Sequence, residues 1–125
     1  MRFIVVVVTI HFKTLLYFLV PSAPPSNFSC KALDERSVKC SWLPPPLMDR
    51  NGDITGYEIR YKTSIVGENL QSLNTSEIFF TVSSLLPFTK YHIEIAAKTS
   101  KGRGPFSMPF FVTTHETSMY MSQCH

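Results

Sequence analysis

The chain has 125 residues, with a net charge of +3, nine Pro, ten Phe, three Cys and Trp42 as its only Trp. A domain of that length buries roughly two-thirds of the surface its unfolded chain exposes, so no disulfide framework is obligatory. Residues 23–114 hold ten Lys or Arg against eight Asp or Glu, an excess too mild for nucleic-acid binding, and proline with aromatics but no helical apolar stripe favours short strands and turns.

Residues 1–22 differ from the rest, reading MRF, IVVVVTI, His11, Lys13 and LLYFLV up to Pro21 and Ser22. Three readings stay open for this apolar leader. Arg2 ahead of an apolar run, with Val20 and Ser22 as recognition residues of a cleavage site, fits a secretory signal. Phe3 to Val20 is just long enough for a membrane anchor, although Lys13 near its centre costs about 3 kcal/mol on insertion scales. The third reading is a fragment boundary that belongs to no folded unit.

Pro21, Pro24 and Pro25 exclude helix, so the domain is expected to begin near Ala23. Phe28, Cys30 and Ala32 alternate, as do Val38, Cys40 and Trp42, and an antiparallel turn centred on Glu35 sets Phe28 against Trp42, Cys30 against Cys40 and Ala32 against Val38, all on one face. The stretch LPPPLMDRNGD is turn material, because consecutive prolines supply no ladder donors and Asn51-Gly52 readily takes positive φ. The next strand, ITGYEIRYK, puts Tyr57, Ile59 and Tyr61 inward and Glu58, Arg60 and Lys62 outward. A short edge strand is expected around Leu70–Leu73, then one over Glu77–Ser83 with Ile78, Phe80 and Val82 inward and Phe79 outward.

Leu85, Pro87, Thr89 and Tyr91 are spaced at twos, and from Tyr91 the inward residues are Ile93, Ile95 and Ala97, opposite His92, Glu94, Ala96 and Lys98. After a glycine-rich turn, TSKGRGPFSMP, Phe110 and Val112 continue inward. Residues 115–125 lack a partner pattern and read as a linker or truncated tail. Seven strands with inward alternation make an antiparallel β-sandwich whose core includes Trp42, Tyr57, Ile59, Tyr61, Phe80, Val82, Ile93, Ile95 and Val112.

Over residues 23–114 this pattern resembles the fibronectin type III domain. The resemblance rests on Pro24 and Pro25 at the start, Trp42 before a proline run, GYEIRY, the corner from Leu85 to Tyr91, and Gly102, Gly104, Pro105 and Ser107 in the last turn. It implies an all-β, seven-stranded, immunoglobulin-like sandwich of three strands against four. It also implies a tyrosine corner, in which the phenol of Tyr91 bonds back to upstream backbone. Such domains bind or space and rarely catalyse. DRNGDITGYEIRYK is similar to repeats of neural adhesion receptors and receptor tyrosine phosphatase ectodomains. The Arg-Gly-Asp of integrin-binding repeats is absent, since Gly102-Arg103-Gly104 stands there.

Cys30, Cys40 and Trp42 also resemble the opening signature of type I cytokine receptors, but a single Trp cannot supply that family's paired-tryptophan motif. Directly opposed in the strand register, Cys30 and Cys40 lie within disulfide range, and closing their loop would stabilise by about 2.8 kcal/mol on the entropic model. Two buried free thiols are the alternative. Asn27-Phe28-Ser29 and Asn74-Thr75-Ser76 are glycosylation sequons, both expected to be accessible, with Asn74 in a polar edge loop. Arg60, Lys62 and Lys98, with Lys101 and Arg103 in the adjoining turn, are a candidate contact surface for a protein or a heparin-like polyanion, diluted by Glu58 and Glu94, and an ordinary solvated strand face is the alternative.

His11, His92, His115 and His125 show no ligand spacing, and Cys124 has no ordering neighbour, so no metal, cofactor or catalytic residue is assigned. The expected role is a non-catalytic, extracellular protein-binding and spacer repeat of a longer adhesion or receptor protein, with membrane association through residues 1–22 or a segment elsewhere. The alternatives are an intracellular repeat of the muscle-scaffold kind and the ectodomain of a receptor tyrosine phosphatase or cytokine receptor.

Overall fold

The alternating rows build two facing sheets in a computed structural model that describes residues 19–65 and 67–117. The strands are Ser26–Ala32 (β1), Val38–Leu43 (β2), Gly56–Thr63 (β3), Gln71–Thr75 (β4), Phe79–Val82 (β5), Lys90–Thr99 (β6), Gly102–Arg103 (β7) and Phe110–Thr113 (β8). One sheet runs β1-β2-β5, and the other runs β4-β3-β6 with β7 and β8 both on the far edge of β6. Every pairing is antiparallel.

The last strand is therefore one edge interrupted, not the single run from Phe110 that the alternation suggests. Pro105 and Pro109 have no N–H to donate and break the ladder. Around them the edge stays attached through Gly104 N–H to the Ala97 carbonyl (2.9 Å) and Ser107 N–H to the Ile95 carbonyl (2.8 Å). Two other boundaries also move. β4 runs on to Thr75, so Asn74 sits on an edge strand and not in a loop. β5 begins only at Phe79, and Ile78, expected inward, is 44% exposed because it lies past the strand end and borders surface grooves.

The core lies between the sheets. Trp42, Tyr57, Ile59, Val82, Leu85, Tyr91, Ile93 and Ile95 are buried, while Tyr61, Phe80 and Val112 pack against them half-buried. Each fully buried Ile contributes about 1.5–3 kcal/mol by leaving water. Edge-to-face rings order the centre, with Trp42 against Tyr57 at 5.4 Å and against Phe28 at 6.4 Å between centroids. Cys30 stands opposite Cys40 in the β1–β2 register, and the two are bonded, with sulfurs 2.07 Å apart.

One pole of the sandwich is strapped by the segment before β1. Pro21 is fully buried. Thr99 Oγ1 donates to the Leu19 carbonyl (2.6 Å), Asn51 Nδ2 to the Val20 carbonyl (2.9 Å), and Ser22 N–H to the Asp49 carbonyl (2.8 Å). Gly104 makes room for this strap, since a Cβ there would stand 2.6 Å from the Pro21 oxygen. At the opposite pole, Leu86 N–H donates to the Tyr91 phenol oxygen (2.8 Å), five residues on. Thr114 Oγ1 accepts from Thr89 N–H (2.9 Å) and donates to the Leu86 carbonyl (2.7 Å), while Thr89 Oγ1 donates to the Pro87 carbonyl (2.8 Å).

Candidate protein-contact face

Strand period places Glu58, Arg60 and Lys62 of β3 and His92, Glu94 and Lys98 of β6 on the outer side of the larger sheet. The register then decides who meets whom: Arg60 pairs with Glu94, Lys62 with His92, and Glu58 with Ala96. Arg60 Nη2 reaches Glu94 Oε2 at 2.9 Å, and Arg103 Nη1 reaches Glu58 Oε2 at 3.0 Å across β6. Ala96, on the strand crossed by the second pair, is fully buried although its side chain belongs to the outer face. Lys98 Nζ donates to Asn74 Oδ1 (2.6 Å), reaching over β3 at Gly56, which has no side chain to obstruct it.

Both guanidinium groups also lie over one ring, that of Phe106, at 3.7 Å for Arg60 and 4.5 Å for Arg103. Cation–π attraction there is on the order of 1 kcal/mol each. A second aromatic lies further along the face. Phe111, 52% exposed, meets the His92 ring at 4.5 Å and the Lys90 ammonium at 5.0 Å, while His92 Nε2 shares a 2.7 Å hydrogen bond with Ser64 Oγ.

Of the five basic residues singled out in the sequence, two are charge-compensated. Arg60 and Arg103 are paired with carboxylates and Lys98 with an amide; among the described residues only Lys62 and Lys101 of the five show no ion pair or side-chain bond. The result is two ion pairs set around the ring of Phe106, with the charges of Lys62, Lys98 and Lys101 beside them. Phe106 was not legible as part of it. Its one signal is that it is the lone aromatic residue of the turn TSKGRGPFSMP.

The remaining candidates are dispersed. Asn27 is exposed on a bulge of β1, where the register slips between Ser26 and Ser29, and Asn74 is exposed on β4. Phe79 stands outward on the other sheet, 48% exposed, with the Lys39 ammonium 5.2 Å from its ring. Burial pushes the phenols of Tyr57 and Tyr61 up, away from general-base chemistry. The β1–β2 turn is closed by Asp34 Oδ1, which accepts from Arg36 N–H (2.8 Å) and Ser37 Oγ (2.8 Å); these bonds hold its carboxyl below the ordinary value.

Among the described residues no His, Cys, Asp and Glu group could hold a metal ion, and no helix is long and apolar enough to cross a membrane. The leader's residues 1–18, with His11 and Lys13, and Cys124 and His125 of the tail lie outside the described residues.

Comparison with known proteins agrees with the geometry. The family model for the fibronectin type III domain matches residues 23–113. The chain is 36% identical over 104 residues to the netrin receptor DCC of Mus musculus, covering 83% of this chain and 7% of that protein. It is 40% identical over 88 residues to receptor-type tyrosine-protein phosphatase F of Bos taurus, covering 70% and 5%. The FN5 domain of Drosophila Lar superposes with a TM-score of 0.65 at 32% identity, covering 78% of this chain and all of that one. The chain spans about 7% or less of the curated relatives it matches here.

Proposed function

The chain belongs to the fibronectin type III family, and on that footing we propose that it binds a protein through the outer face of its larger sheet while spacing its neighbours along a receptor or adhesion molecule. As a module of this family it is non-catalytic, and its setting, like that of its receptor relatives, is extracellular.

The observation that carries the binding role is the pair of rings, Phe106 and Phe111, flanked by Arg60, Arg103, Lys90 and His92. Aromatic and Arg side chains dominate binding energy when they are held in place before the encounter, because less rotamer freedom remains to be lost. Here the ion pairs to Glu58 and Glu94 do the holding. The spacer role is supported by the two poles. The strap lies beside the turn after β6, whereas His115 leaves from beside the corner, its N–H on the Asp34 carbonyl (3.1 Å) and its carbonyl on Phe88 N–H (3.0 Å). Chain arrives and departs at opposite ends, which suits tandem repeats.

The test is an array of cell-surface ectodomains probed with the secreted domain. Phe111→Ser and Lys62→Glu should each weaken a detected interaction at least tenfold, and Lys31→Glu on the opposite sheet should leave it unchanged. Equal effects from both sheets would exclude this face.

A further inference from the structure

The outer side of the smaller sheet carries a feature that the contact face leaves unexplained. Ser41 pairs with Phe79, and Trp42 N–H donates to the Ile78 carbonyl (3.0 Å), which gathers Leu43, Ile78 and Phe79 at the sheet's end. Each is nearly half exposed, at 46%, 44% and 48%. They share an open groove of about 480 Å³ with three polar residues, Asn27, Lys39 and Ser41. A contiguous apolar patch on a soluble domain normally has an occupant. Asn27 is the residue that points to one. It heads the sequon Asn27-Phe28-Ser29, it is exposed, and it sits in the β1 bulge at φ 53°, a left-handed conformation that Asn adopts more readily than most residues.

We propose that this groove seats the first N-acetylglucosamine of a glycan carried by Asn27, so that the chain covers its own apolar patch with its own carbohydrate. In the attachment step the Asn27 side-chain nitrogen bonds to C1 of the sugar and gives up one proton. The lipid diphosphate that carried the oligosaccharide leaves with the electron pair of the broken C1–O bond.

The groove's chemistry matches the sugar's. A pyranose is amphipathic: its C–H face carries slight positive charge and meets the negative face of an aromatic ring such as Phe79. Its acetamido methyl suits Leu43 and Ile78, and its hydroxyl edge suits the ammonium of Lys39 and the hydroxyl of Ser41. Asn74 lies on the other sheet and does not line this groove.

The inference rests on the extracellular setting, because such glycans are attached in the secretory pathway. The protein is directed through that pathway in cells making high-mannose glycans, with Ser76→Ala removing the Asn74 acceptor. Three forms are melted: intact, trimmed by endoglycosidase to a single N-acetylglucosamine, and stripped. Intact and trimmed forms should melt together, the stripped form should melt about 4 °C or more lower, and Phe79→Ser should abolish the difference between trimmed and stripped. The proposal is overturned if Asn27 is bare by mass, if trimmed and stripped forms melt together, or if the difference survives Phe79→Ser. A secreted protein with Cys30–Cys40 closed and Asn27 bare removes the glycan seat alone, whereas a retained chain with free thiols removes the extracellular setting as well.

Discussion

Replacing Tyr91 by Phe removes one oxygen from the corner and nothing else. The residue is 4% exposed and its phenol accepts the Leu86 N–H at 2.8 Å. A neutral hydrogen bond of this kind contributes about 1 kcal/mol net, while a sealed orphan donor would cost up to about 3 kcal/mol. The bond is part-buried and Leu86 itself is 51% exposed, so the smaller figure is taken. For a domain of this size, 1 kcal/mol lowers Tm by roughly 4–8 °C. Urea titration followed by the fluorescence of Trp42, the chain's only Trp and 3% exposed, measures the change directly. The midpoint should fall with the slope unchanged, since the same surface is exposed on unfolding. An unmoved midpoint would show that the phenol oxygen does not anchor the corner. A loss beyond about 3 kcal/mol would show that the ring, and not the bond, had been disturbed.

Thr114→Val, nearly isosteric and at a site 2% exposed, strands both Thr89 N–H and the Leu86 carbonyl, and should cost about 2–3 kcal/mol in the same titration. Combined with Tyr91→Phe it should be non-additive by at least about 0.5 kcal/mol, because both side chains hold Leu86. Gly104→Ala places a methyl 2.6 Å from the Pro21 oxygen and should destabilise by about 1–3 kcal/mol; in a chain beginning at Ala23 that cost should vanish. Asp34 has its folded pKa lowered below 3.8, by the Arg36 N–H first and the Ser37 hydroxyl next, so it contributes stability above 3.8 that is lost as pH falls through the folded value. The Tm gap between the protein and Asp34→Ala should therefore be steady above pH 4 and close on further acidification, and a gap that widens there would reverse the assignment. Replacing both Cys30 and Cys40 by Ala should cost about 3 kcal/mol, most of it chain entropy, and alkylation of the unfolded, secreted parent should find neither thiol free.

Much of the sandwich was legible because its signals are local. Tyr57, Ile59 and Tyr61, or Tyr91, Ile93 and Ile95, recur every second residue whatever lies across from them, and Asn51-Gly52 marks its turn by backbone chemistry alone. The β1–β2 register of Cys30 with Cys40 and Ala32 with Val38 followed from two matched rows, and those cysteines are bonded, but the expected pairing of Phe28 with Trp42 is lost where the strand bulges between Ser26 and Ser29. The same reasoning misplaced Ile78, since alternation assigns a face but not whether another sheet is there to cover it. Thr114 continues the inward row of Phe110 and Val112, and a polar residue at such a position was a readable sign of a buried hydrogen bond.

By itself the sequence determined the alternation, the turns, the corner and the sequons, all of which depend on residues a few positions apart. Only the tertiary structure decided what the basic residues do. Glu58 and Arg103 are 45 residues apart and meet across β6, so that two of the five candidate basic residues end in ion pairs around Phe106. It likewise decided that Pro21 is buried against the folded unit, where Gly104 leaves room for it, a reason for that glycine that only the packing of the two segments shows. Charge pairing and close approach depend on distances in space, and those exist only once the strands have taken their register.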